Sequence, residues 1–228
     1  MKEEIFGSAR LILGDAYEIR PDLGWFDIDI MDPPYEFRAE GGGSWRRARG
    51  GMEQIVEEGL SDGFDHSIIN PMLCGAVVTF CHNDQLAKLL PDLDGLFHRY
   101  ALLSWWKSNP QPLANKHYRP DCEIWVHAWN RGYEPQGTVR EKRRFVISGS
   151  PRRALYGHAT VKPDKVMDKI VRHAAGRTIC DPFMGTGSTG IAALRAGRTF
   201  TGIEKNPQHF ETACRRFEQE VQRLEVAA

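Results

Sequence analysis

Three observations predict a single α/β domain built on a doubly wound, mostly parallel sheet with an antiparallel edge hairpin. Short apolar runs alternate with segments of helical periodicity, a glycine-rich turn stands between a strand and a helix, and the composition is that of an ordinary folded protein. The chain has 228 residues, of which 41% are hydrophobic, and its formal net charge is zero. That length buries one substantial core and not two. No apolar run approaches the roughly 18 residues that a membrane span requires. Met1 to Ile5 also lacks the cationic and apolar regions of a signal peptide, so a cytoplasmic protein away from membranes is expected. Five cysteines, Cys74, Cys81, Cys122, Cys180 and Cys214, form an odd, scattered set without a Cys-x-x-Cys pair. Reduced thiols follow, with neither a disulfide framework nor a metal site.

In chain order, Ala9 to Leu13 and Phe26 to Met31 read as strands, followed by Gly75 to Phe80, Ala101 to Trp106 and Glu123 to Trp129. Helices are expected over Asp65 to Cys74 and Asp84 to Leu90. The C-terminal third is the most regular part. Pro163 to Ala175 places Val166, Met167, Ile170 and Val171 on one side of a helix, and Arg177 to Cys180 is a buried strand. A second helix over Ser188 to Ala196 stops at Gly197, and Thr199 to Ile203 is a strand ending at Glu204. Asn206 caps a last helix that has Pro207 at its first position and a stripe of Phe210, Ala213, Cys214, Phe217, Val221 and Leu224. Two stretches read as loops, 36–51 with its Gly41-Gly42-Gly43 run and 130–158.

Two short motifs sit at strand ends. Asp32-Pro33-Pro34-Tyr35 follows the apolar run that ends at Met31, and Asp181-Pro182-Phe183-Met184-Gly185-Thr186-Gly187-Ser188-Thr189-Gly190 follows the strand ending at Cys180. A strand that turns through Gly185 and Gly187 into a helix lets backbone N–H groups and the positive helix end approach a polar ligand. Glu204 stands 23 residues beyond Asp181, the spacing at which a carboxylate accepts both ribose hydroxyls of a nucleoside. The loop lacks a Gly-Lys-Ser/Thr ending, which argues against a nucleoside triphosphate. Taken alone, the glycine loop reads equally as a tight turn, and a bare Asp-Pro-Pro-Tyr as a rigid turn.

In combination the two motifs resemble the beta-class DNA amino-methyltransferases, the permuted group in which the catalytic tetrapeptide precedes the S-adenosylmethionine loop. His158-Ala159-Thr160-Val161-Lys162-Pro163, Gly202-Ile203-Glu204-Lys205-Asn206-Pro207, Ser104 to Pro110 and Asp121 to Trp125 are similar to the family's flanking segments, although the family commonly has proline where Ala159 stands. The resemblance implies a Rossmann-like methyltransferase fold with S-adenosyl-L-methionine as cofactor. It places Asp181, Phe183, Gly185, Thr186, Gly187 and Ser188 along the cofactor, Glu204 and Lys205 at its ribose, Asp15 and Ala16 at its adenine, and Thr160 and Lys162 near its methionine end, with Asp32 between cofactor and substrate. It makes Asp32, Pro33, Pro34 and Tyr35 catalytic. An amine conjugated to an aromatic base is a poor nucleophile until its lone pair is localised. The Asp32 carboxylate and the Pro33 carbonyl can each accept one of its N–H bonds, two prolines hold those acceptors in place, and Tyr35 can stack on a base swung out of the duplex. Aspartate first and tyrosine fourth favour adenine N6 within the family, with cytosine N4 as the alternative and a catalytically inactive DNA-binding relative as a further one.

Charge is unevenly placed along the chain. Residues 1–34 carry Lys2, Arg10 and Arg20 against eight acidic residues, whereas residues 138–153 carry Arg140, Lys142, Arg143, Arg144, Arg152 and Arg153 against Glu141 alone. The second segment suits DNA phosphates, as do Arg38, Arg46, Arg47 and Arg49 in the 36–51 loop, which is expected to be mobile and to close on the catalytic side. The 130–158 stretch lies where the family inserts its target-recognition region, here a short one. His82, His98, His117, His127, His158 and His173 are read first as structural or surface residues, and no metal is expected. The resemblance also implies a bacterial or phage-encoded protein associated with the nucleoid, and allows a homodimer.

Overall fold

The computed structural model describes residues 2–36, 63–110, 118–150 and 161–227. Nine strands of the described residues form one sheet: β1 (Lys2–Phe6), β2 (Ala9–Leu13), β3 (Ile28–Met31), β4 (Ala76–Cys81), β5 (Arg99–Lys107), β6 (Cys122–Trp129), β7 (Phe145–Ser148), β8 (Thr178–Asp181) and β9 (Thr199–Glu204). Their order is β1-β2-β9-β8-β3-β4-β6-β5-β7. Strands β2, β9, β8, β3 and β4 are mutually parallel, and β5 and β7 are parallel to each other. Only β1 and β6 run against their neighbours. An antiparallel edge hairpin is present as β1–β2, built with a strand absent from the sequence expectations, and its connection takes Gly7 through φ +58°. Strand β6 adds a second antiparallel element inside the sheet.

Among the described residues, five α-helices flank it: α1 (Ala16–Ile19), α2 (Leu86–Leu96), α3 (Asp164–His173), α4 (Ser188–Arg195) and α5 (Pro207–Ala227). Strand β4 shows why both faces need cover. Ala76, Val78 and Phe80 join one core, with Val166, Met167, Ile170 and Val171 of α3, Ile191 to Leu194 of α4 and Phe210, Ala213 and Phe217 of α5. Val77 and Cys81 join the other, with Ala16 and Ile19 of α1 and Leu89 and Leu93 of α2. A strand buried on both sides reads as a continuous apolar run because alternate residues serve opposite layers.

Two helix expectations need correction. Asp65 to Cys74 forms a single 3₁₀ turn, His66–Ile68, capped by the Asp65 side chain, and then a turn stabilised by Asn70. Pro71 biases Asn70 away from the helical region, so the apolar pattern could not propagate. The helix expected over Asp84 to Leu90 begins instead as a 3₁₀ turn, Asn83–Gln85, and continues as α2 past Pro91 to Leu96. Burial of Leu89 and Leu93 outweighs the hydrogen bond that Pro91 forfeits.

Candidate functional site

Strands β3 and β8 are adjacent and parallel, with Ile28 opposite Ile179 and Asp29 opposite Cys180. From β3 the chain order moves outward through β4, and from β8 outward through β9, so the topological switch point falls between them. Both motifs leave the sheet at the carboxyl ends of these two strands, which is where open α/β sheets gather ligands. Asp32 and Asp181 are near enough that the charge of Asp32 helps raise the pKa of Asp181.

The Asp32 turn carries a dense charged network. Lys162, just ahead of α3, brings Nζ to 2.6 Å from Asp32 Oδ2. The Tyr35 hydroxyl donates to Asp32 Oδ1 at 2.9 Å and accepts from Lys162 Nζ at 3.1 Å. Glu123, near the start of β6, has Oε2 3.3 Å from the same ammonium, and its Oε1 pairs with Lys107 at 2.8 Å. Lys162 also lies over the Phe80 ring, 4.7 Å from its centroid. Burial pushes Asp32 above the usual carboxylate range although Lys162 opposes the shift. Burial likewise works against charge on Lys162 and Glu123, but their opposite-sign neighbours outweigh it, so Lys162 is raised and Glu123 lowered. Burial also raises the Tyr35 phenol well above its ordinary value. The Pro34 carbonyl accepts from Gln85 Nε2 at 3.4 Å, which ties the turn to the entry of α2.

The glycine loop is organised around its own backbone. Asp181 Oδ1 accepts from Phe183 N at 3.0 Å, and Glu204 Oε2 accepts from Gly185 N at 2.7 Å while its Oε1 accepts from Asn206 N at 2.7 Å. Gly185 adopts φ +54° and a Cβ there would meet nothing within 4 Å, so the loop faces open space. Gly187 adopts φ +87° with the Phe217 ring where a Cβ would stand. The buried Asp181 carboxyl is pushed up to about 8 by burial, and burial also raises Glu204. Phe183 packs edge-on against Tyr17 and Phe64, with centroids 6.1 and 6.0 Å away. This arrangement fits a nucleoside-bearing cofactor: an open cradle at Gly185, a carboxylate at the tip of β9 and aromatic rings beside them.

Several expected cofactor residues have protein partners. Asp15 caps α1 by accepting from Tyr17 N at 2.9 Å and pairs with exposed Lys205 at 2.8 Å, beside buried Ala16. Thr186 and Ser188 accept from Arg216 of α5, at 3.0 and 3.4 Å. Lys162, expected near the methionine end of a cofactor, pairs with Asp32. Arg140, Lys142, Arg143 and Arg144 are exposed on the approach to β7. Arg38, Arg46, Arg47, Arg49, Arg152, Arg153, Thr160, His117 and His158 lie outside the described residues. Sequence reasoning gave no role to Glu123, Lys107 or Gln85. The signal was a carboxylate at the head of an apolar strand and a lysine at the tail of another, both within motifs already set apart. Among the described residues no helix is long and apolar enough to cross a membrane, and no group of three His, Cys, Asp or Glu side chains is placed to hold a metal ion.

A family model described as DNA methylase, covering N6 and N4 enzymes, matches residues 94–215. The chain is 26% identical to the type II methyltransferase M2.LlaDCHI of Lactococcus lactis subsp. cremoris, over 92% of this chain and 89% of that protein. It is 28% identical to the type II methyltransferase M2.DpnII of Streptococcus pneumoniae, and that match spans 52% of this chain and half the length of the relative. Among solved structures, an M1.HpyAVI–SAM complex superposes with a TM-score of 0.66 at 26% identity, over 91% of this chain and 99% of that one. These likenesses give the mixed sheet its place among methyltransferase folds. With a family match over more than half its length, the chain belongs to the N6/N4 DNA methylase family.

Proposed function

We propose that this protein transfers the methyl group of S-adenosyl-L-methionine to the exocyclic amine of a DNA base drawn out of the duplex, and that the base is adenine, methylated at N6. The observation that carries the reading is the adjacency of β3 and β8, which sets the Asp32 acceptor and the Gly185 loop at one switch point. When bound, the cofactor supplies an electrophilic methyl on a sulfonium. The chain's own residues do the rest. Glu204 and the Gly185 loop hold the ribose, and Phe183 with the Asp15–Ala16 turn borders the base of the cofactor. Asp32 and the Pro33 carbonyl each accept one N–H of the substrate amine, which turns its lone pair outward. Holding both acceptors in a diproline turn before substrate arrives removes reorganisation from the barrier. Tyr35 steadies Asp32 through its hydroxyl and offers a half-buried ring to the extruded base.

Arg140, Lys142, Arg143 and Arg144 contact phosphates, joined by the arginines of 36–51 and by Arg152 and Arg153, with 130–158 serving as a short target-recognition segment. Support comes from the exposure of the described members of this set beside β7, a neighbour of the strand that ends at Lys107. Incubation with radiolabelled cofactor and unmethylated DNA, followed by digestion to nucleosides, tests the reading. Label in N6-methyladenine is expected. Label in N4-methylcytosine alone replaces adenine with cytosine, and protein that binds cofactor yet labels neither base on a panel of DNA substrates overturns the proposal.

A further inference from the structure

Among the described residues, one buried acceptor near the reacting centre has an ammonium beside it but no hydrogen bond of ordinary geometry. Glu123 Oε2 is shielded from solvent and has no hydrogen-bond partner among the described residues, although the Lys162 ammonium lies 3.3 Å away. Its other oxygen is held by Lys107, so the carboxylate is fixed in place. Buried polar atoms are nearly always paired, and an unpaired one calls for a physical reason. Meanwhile both oxygens of Asp32 are engaged, Oδ1 by Tyr35 and Oδ2 by Lys162 at 2.6 Å. A substrate amine must reach that same carboxylate. The lone pair of Oδ2 that now takes the ammonium becomes free for that amine when the ammonium moves to the neighbouring carboxylate, which keeps both charges paired.

We propose that Glu123 is the acceptor that takes the Lys162 ammonium while Asp32 holds the substrate amine, making Glu123 a positioning residue for methyl transfer. This rests on Asp32 being the amine acceptor. In the resting chain Lys162 bonds Asp32 and Tyr35. On arrival of the base it shifts about 0.5 Å towards Glu123 Oε2, the difference between a loose ion pair and a charge-assisted hydrogen bond. Lysine suits the task because its ammonium is a point charge on a flexible stem. The cation never leaves the site, so Asp32 stays ionised despite its burial. The charged and titratable groups facing Asp32 are Lys162, Tyr35, Glu123 and Asp181, with Lys107 behind Glu123 and Cys81 of β4 beside Tyr35.

The test is single-turnover methylation of DNA by Glu123→Gln, as a function of pH, alongside cofactor binding by calorimetry. Losing one charge-assisted hydrogen bond should slow transfer by about tenfold or more. Glu123 raises the pKa of Asp32, so its neutralisation should also move the acid limb of the rate profile to lower pH, with cofactor affinity unchanged. A merely structural lesion would not shift the limb in that direction. A wild-type rate overturns the proposal wherever the limb lies, as does a slow enzyme whose limb is unmoved. If Glu123→Gln does not fold, Glu123→Asp keeps the charge but withdraws the carboxylate, and a wild-type rate in that variant overturns the proposal equally. Asp32→Asn in the same assay separates the two readings: if it still methylates, the role of Asp32 fails, whereas its silence beside an unaffected Glu123→Gln defeats the hand-over alone.

Discussion

Arg20 and Asp29 form a buried two-pronged pair, Nε to Oδ2 and Nη2 to Oδ1, each at 3.0 Å. The same guanidinium donates to the carbonyls of Gly24 and Leu73 and lies over the Phe26 ring, 4.9 Å from its centroid. It thereby ties the turn after α1 to β3, three residues ahead of Asp32. Removing one partner strands a charge in the core, which costs about 3–5 kcal/mol. Asp29→Ala should therefore lose stability on that scale in urea unfolding. The Arg20→Met, Asp29→Leu double variant should be less damaged than the single one, because no orphaned charge remains. A single variant within about 0.5 kcal/mol of wild type, a change usual for a surface site, would refute the account.

Gly185 and Gly187 share left-handed backbone but face different surroundings, so the same substitution should separate cofactor binding from stability. Alanine at either position costs about 1–2 kcal/mol for the conformation. At Gly187 the new methyl meets the Phe217 ring at 2.5 Å, adding about 1–3 kcal/mol of overpacking. At Gly185 it enters open space, the space assigned to the cofactor. Gly187→Ala should show the larger fall in melting temperature, and Gly185→Ala the larger fall in cofactor affinity, tenfold or more by calorimetry. Equal losses of both properties in both variants would count against a cradle at Gly185.

The parts of this architecture legible in the sequence are those set by local pattern. Strand β8, the glycine loop, α4, β9 and α5 follow one another with their caps and apolar stripes, and the structure places each within a residue or two of expectation. Strand β1 escaped notice because Lys2-Glu3-Glu4-Ile5-Phe6 is an exposed edge with little apolar signal. The link between Lys162, Glu123 and Lys107 was hidden for another reason. It depends on β6 running antiparallel between β4 and β5, a tertiary arrangement that brings three distant segments to one point. The motif around Lys162 points to the cofactor, and only the fold adds its ion pair with Asp32.

Arg143 and Arg144 are exposed at the approach to β7, and charge reversal there tests the DNA face. Each phosphate contact removed lowers the dependence of log affinity on log salt by about 0.9. Arg143→Glu with Arg144→Glu should weaken DNA binding in a titration series from low to high salt and flatten that slope by about 2, with cofactor affinity intact. An unchanged slope would take this segment out of the interface.

With the cofactor seated on the Gly185 loop as proposed, the buried Asp181 carboxyl should make both its binding and the stability of the fold proton-linked. Its pKa is raised to about 8 by burial first, then by the charges of Asp32 and Glu204, against the hydrogen bonds from Thr189 and from Phe183 N. An unfolded aspartate titrates near about 4, so between about 4 and about 8 the folded chain holds a proton that the unfolded chain has lost. Stability from this group is therefore greatest below that window and falls as pH rises through it. A ligand that brings a sulfonium and an ammonium beside this turn favours the carboxylate and lowers its pKa. Cofactor binding at pH 7 should then release close to one proton, read by calorimetry as a heat that depends on the ionisation enthalpy of the buffer. The release should vanish near pH 9, where the carboxyl is already ionised, and in Asp181→Asn at any pH. Heats independent of buffer at pH 7 would mean that Asp181 is ionised before the cofactor arrives and that burial has been outweighed by its hydrogen bonds.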